Sequence, residues 1–147
     1  MRLGDVVAMV FYLAGDRIGG LARLQAVMYI LHRETRLVDT YFETWYVAPW
    51  SGDVEREVEE LARGGSLSVS VDETAGVETY VASRQLMERG AYVYRKIEER
   101  DPYTARVVKL TVAYGASLPL SKLLLAVRQM AQSGIQKMPL PCAVLKA

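Results

Sequence analysis

The chain has 147 residues, about one domain's worth, with 51% hydrophobic and 24% charged side chains, so it can bury a core without metals or disulfides. A single cysteine, Cys142, and a single histidine, His32, exclude an internal disulfide, a cysteine-based zinc site and a multi-histidine metal site. The net charge of +1 conceals an acidic middle and a basic end: residues 1–36 carry net +2, residues 37–82 net −8 and residues 83–147 net +7. That asymmetry suits either a nucleic-acid or acidic-partner surface, or two solvated faces of opposite sign.

No stretch approaches the roughly 20 apolar residues that a membrane span needs. Val6 to Ala14 is apolar behind Arg2, but Asp5 interrupts the charged end, so the run reads as a core helix rather than a signal. A cytoplasmic protein without membrane contact is the expectation.

Leu3, Val6, Val7, Val10, Leu13 and Ala14 recur at helical spacing, predicting a first helix over 3–14 that Gly15-Asp16 stops. Ile18 lies in a short extended link. Gly19-Gly20 opens a second helix with Leu21, Leu24, Val27, Met28 and Leu31 inside, ending near Glu34. Residues 41–47 are aromatic and β-branched and read as extended. Ser51 is a fitting N-cap for a third helix over about 52–63, with Asp53 and Glu55 in its first turn and Val54, Val58 and Leu61 inward. Residues 66–71 alternate as a half-buried strand, 72–76 turn, and 77–81 alternate again, making a hairpin. Ser83 caps a fourth helix to about Arg100, with Leu86, Val93 and Ile97 inside. Asp101-Pro102 starts a fifth helix to about Tyr114, where Gly115 is expected to end it. A sixth helix covers 119–132. The division is a domain over 1–132 and an extended or disordered tail over 133–147. The fold class is α+β, mostly helical: a winged helix-turn-helix with a β-hairpin wing and added C-terminal helices.

Ile18, Gly20 and the run Leu24-Gln25-Ala26-Val27-Met28-Tyr29-Ile30-Leu31 resemble the opening signature of an archaeal and bacterial winged-helix family often called YwgA-like. Tyr46-Val47-Ala48-Pro49-Trp50-Ser51, Leu61 to Leu67, Leu86 to Gly90 and the Leu118-Pro119-Leu120 region resemble its later motifs, so the likeness spans roughly residues 3–130. It departs at Leu21-Ala22, where the family has Arg-Thr, at Ala26, where it has Lys, and at Val47-Ala48, where it has Tyr-Gly. The resemblance implies a winged-helix fold and no particular activity.

In a winged helix the third helix is the candidate reader of a DNA major groove. Here its outward positions are Asp53, Glu55, Arg56, Glu57, Glu59, Glu60 and Arg63, net −3, with Arg56–Glu60 and Glu59–Arg63 as possible i,i+4 pairs. Phosphate would be repelled by such a face, and the hairpin turn adds Asp72-Glu73. Basic residues lie elsewhere: Arg84, Arg89, Arg95, Lys96 and Arg100 on the fourth helix, Arg106 and Lys109 on the fifth, with Tyr92 and Tyr94 interleaved. They are the candidate nucleic-acid contacts, against the alternative of a solvated helix face. Trp45, Tyr46 and Trp50, in an aromatic run with Tyr41 and Phe42, are candidate partner contacts, against a packing role. Leu118 and Leu125 widen the apolar stripe of the sixth helix and, with Met130, point to a homodimer interface, against a monomer in which the first helix covers one side and the tail, with Ile135, Met138 and Leu140, the other.

Nothing points to catalysis. His32 fits the end of the second helix, Cys142 has no partner nearby in sequence, and no Gly-rich phosphate loop occurs. The expectation is a module without cofactor or metal. It is either a DNA-binding regulator of transcription on double-stranded DNA or a protein–protein interaction module on the same frame.

Overall fold

The computed structural model describes residues 1–44, 48–72 and 76–133. They form α1 (Leu3–Leu13), β1 (Arg17–Ile18), α2 (Leu21–Glu34), α3 (Gly52–Arg63), β2 (Leu67–Asp72), β3 (Val77–Ala82), α4 (Arg84–Arg100), α5 (Pro102–Ser117) and α6 (Leu120–Gln132). The class is α+β and mostly helical, with a small antiparallel sheet in the order β1-β3-β2. Element order and sheet order are compatible with a winged-helix layout.

Val6 to Phe11 of α1 are wholly inaccessible. A helix apolar all round must be covered all round, and α4 lies along α1 while α3 and α5 touch it. The closest approach is at Gly90, where a Cβ would overlap the Ala8 carbonyl and the Cβ of Tyr12. Asp5 starts α1 by accepting the Arg2 backbone N–H at 3.1 Å, and it accepts Arg89 of α4 at 2.9 Å. Gly15 and Asp16 both take positive φ, 83° and 87°. That left-handed pair ends α1 and turns the chain so that the Asp16 carbonyl receives the Ala82 N–H at 2.7 Å. The extended link around Ile18 thus becomes the short strand β1.

Leu24 to Leu31 of α2 are buried without a break. One buried residue there is polar: Gln25 donates Nε2 to the Ser51 carbonyl at 2.8 Å and accepts the Ser51 N–H at 2.9 Å. Both polar groups of the buried Ser51 backbone are therefore satisfied by one amide. The Ser51 hydroxyl accepts the Val54 N–H at 3.3 Å, as an N-cap should. Ser83 and Asp101 cap α4 and α5 in the same way.

In the run 41–47, read as extended, the described residues join no sheet, and Glu43 pairs once with Trp50. One local expectation changes: Gly115 does not stop α5. It lies inside the helix, where any Cβ would overlap the Val27 side chain of α2. The helix instead stops at Leu118, which Pro119 biases away from helical geometry. Arg23 of α2 donates to the freed carbonyls of Gly115 and Leu118 at 2.5 and 2.8 Å. Leu123, Val127 and Met130 seat α6, which packs on α2.

Candidate functional site

The outward face of α3 is acidic, but its pairs differ from those the spacing suggests. Thr40 Oγ1 donates to Asp53 at 2.5 Å, and Arg56 is ion-paired to Asp53 one turn back. Asp53 is fixed at the helix start by Thr40, so it presents a ready carboxylate to Arg56. These hydrogen bonds, from Thr40 and then Arg56, hold the Asp53 carboxyl below its ordinary value. Neither Arg56–Glu60 nor Glu59–Arg63 forms among the described residues. Glu55 accepts the Trp50 indole N–H at 2.9 Å. Glu59 and Glu60 are left exposed.

The hairpin beside α3 is open. Leu67 is buried, but Val69 and Val71, on the same face of β2, are 47% and 58% exposed. Val69 lies opposite Tyr80 and Val71 opposite Glu78. Burial raises the Tyr80 hydroxyl, and the charge and hydrogen bond of Glu78 and the charges of Glu55 and Glu59 raise it further. These acids therefore lie on the valine side of the sheet. Trp50 is half-buried and serves the start of α3; Trp45, Tyr46 and the turn residue Glu73 lie outside the described residues.

The basic residues of α4 and α5 divide into two sets. Arg89 is committed to Asp5 at 2.8 Å. Burial pulls the Asp5 carboxyl upward, but the Arg2 backbone N–H, the Arg89 hydrogen bond and the Arg89 charge together hold it below its ordinary value. Arg84 pairs with Glu88 at 3.3 Å, and Lys96 lies 5.4 Å above the Tyr92 ring and 3.9 Å from Glu99. Arg95, Arg100, Arg106 and Lys109 are exposed and form no ion pair among the described residues. Tyr92 is exposed, whereas Tyr94 turns inward to Tyr12, ring centroids 6.3 Å apart. Tyr103, 76% exposed in the first turn of α5, is an aromatic neighbour that the spacing did not single out.

On α6, Leu125 is 48% exposed and Met130, expected at the dimer interface, is instead buried in the chain's own core; Leu118, at the end of α5, is partly covered. The Met130 carbonyl accepts Arg33 at 3.2 Å. His32 reaches past the end of α2 to the Val38 carbonyl, 2.9 Å from Nδ1, and lies tilted against Phe42, ring centroids 5.2 Å apart. It holds the loop down. A cavity of about 250 Å³ lies between α1, α2 and α5, but Arg17 and Arg23 on its wall are committed to Asp16 and to the end of α5. Among the described residues no three His, Cys, Asp or Glu side chains come together as metal ligands, and no helix is long and apolar enough to cross a membrane.

Comparison with protein-family models, curated proteins and solved structures finds no match to this chain.

Proposed function

We propose that the chain is a non-catalytic winged-helix module whose α3 and hairpin form a protein-binding face. The winged-helix frame is supported by the order α1-β1-α2-α3-β2-β3 with β1 paired to β3, and by the YwgA-like resemblance around Leu24 to Leu31. The observation that carries the choice of partner is the α3 face itself. Its Arg56 is turned onto Asp53, leaving exposed Glu59 and Glu60 with Arg63 as the remaining base. A phosphate backbone needs Lys and Arg to replace its counterions, whereas a protein partner can bring the bases itself.

A second reading has its own support. Arg95, Arg100, Arg106 and Lys109 form no ion pair among the described residues, so α4 and α5 offer charge to double-stranded DNA, as in a transcription regulator. An electrophoretic shift with random duplex DNA at low and moderate salt separates the two. Protein binding through α3 and the hairpin predicts no complex that depends on Arg56 or Arg63. Homodimerisation through the exposed Leu125 of α6 is compatible with either reading, since α6 packs on α2 on its other side.

A further inference from the structure

The strand β2 is an edge, and the direction of its free backbone groups follows from the register. The Ser83 N–H bonds to the Ser66 carbonyl at 2.8 Å. In an antiparallel ladder, hydrogen-bonded pairs alternate along each strand. Ser68 and Ser70 therefore turn their N–H and C=O toward β3, opposite Val81 and Thr79. Val69 and Val71 turn theirs outward, and neither makes a backbone hydrogen bond outside the hairpin among the described residues. Natural edges are blunted by Lys, Pro, bulges or a covering element. Leu67 to Val71 reads Leu-Ser-Val-Ser-Val, without a charge or a proline, and its two outer valines are about half exposed.

We propose that this edge takes an extended segment of a protein partner that carries apolar and basic side chains two residues apart, on one face, added as a fourth strand beside β2. The inference rests on reading α3 and the hairpin as a protein-binding face. Backbone pairing would satisfy the outward groups of Val69 and Val71. Alternate side chains of the added strand would cover the two valines, because residues two apart share a face. Charge sets the chemistry of the rest. Glu78 stands opposite Val71, and Glu59 and Glu55 of α3 lie close enough to act on Tyr80, which stands opposite Val69. The acids lie on the valine side, so the partner's Lys or Arg side chains have counter-charges there. A second copy of this edge would instead bring the same acids toward each other, which disfavours self-pairing.

The probe is the blocked seven-residue peptide Thr-Val-Thr-Lys-Thr-Val-Thr, in which Val and Lys share one face, with an otherwise identical peptide carrying Glu in place of Lys as the Glu/Val control. Amide hydrogen exchange of the full chain reads the site. The expected result is slowed exchange at Val69 and Val71 with the Lys/Val peptide and none with the Glu/Val peptide. Val69→Pro removes an outward N–H without touching the hairpin ladder and should weaken binding roughly two- to tenfold, the range of one hydrogen bond. Glu59→Gln, on exposed helix, leaves the edge intact and should weaken it roughly two- to fivefold, the range of an exposed ion pair. Equal binding of the acidic peptide, protection on α4 and α5 instead, or protection that grows with protein concentration without peptide overturns the inference. So does the absence of any protection, which leaves the wider reading to stand or fall separately: that reading fails if duplex DNA, titrated in the same way, protects α3.

Discussion

Replacing Gly90 by alanine is the sharpest perturbation of the helical core. A Cβ at this position would fall within the Ala8 carbonyl and against the Cβ of Tyr12, both on α1. Neither can move aside as a flexible side-chain end could, so α1 and α4 must separate along their length. In an exposed helix Gly→Ala stabilises by about 0.5–1 kcal/mol. Overpacking a close-packed core costs about 1–3 kcal/mol, and a backbone obstacle favours the upper end. The net expectation is a loss of about 1–2.5 kcal/mol, or roughly 2–10 °C in Tm for a chain of this size. Urea unfolding followed by far-ultraviolet circular dichroism measures it. Gly52→Ala is the control: no atom lies within 4 Å of its Cβ position, and it occupies the first turn of α3. It should be neutral or mildly stabilising. A Gly90→Ala protein as stable as the control would refute the close α1–α4 crossing.

Gln25→Leu should destabilise by about 1–3 kcal/mol, since it strands the buried N–H of Ser51, while the Ser51 carbonyl keeps the Glu55 N–H; denaturant titration reads the change, and a neutral effect would remove Gln25 as the anchor of α3. Burial raises the Glu34 carboxyl above its ordinary 4.5, with Arg33 opposing, and its Oε1 finds no hydrogen bond among the described residues. A raised group contributes stability below its unfolded pKa and loses it as pH rises through the folded value. Glu34→Gln should therefore raise Tm at pH 7 and have less effect near pH 3; the opposite order would contradict the assignment. Light scattering at micromolar concentration should give twice the 16.4 kDa chain mass, and Leu125→Lys should return it to one chain; a wild-type mass of one chain at all concentrations excludes the dimer.

Much of the fold is local and was legible as such. Ser51, Ser83 and Asp101 cap the helices they announce, because capping depends on one side chain and the next few amides. What periodicity missed are contacts between distant segments. Gly115 looked like a stop, but its hydrogen in place of a side chain lets α5 lie against Val27. Gln25 gave no sign of reaching Ser51, and Thr40 decided which acid Arg56 would meet. The hairpin is the clearest case for function. Leu67, Val69 and Val71 alternate as one inward face, yet only Leu67 finds cover. Alternation tells which side chains share a face; whether another element reaches that face is a tertiary property.

The acidic α3 face is the claim on which the functional account turns, and one titration tests it. Random duplex DNA is added to the wild-type chain, to the Arg56→Ala/Arg63→Ala variant and to the Arg95→Ala/Lys96→Ala/Arg100→Ala variant, at low and moderate salt. The account predicts that any complex formed survives the first pair of changes and is weakened, with a shallower salt dependence, by the second set. A complex abolished by Arg56→Ala and Arg63→Ala, and indifferent to the changes on α4, would contradict it.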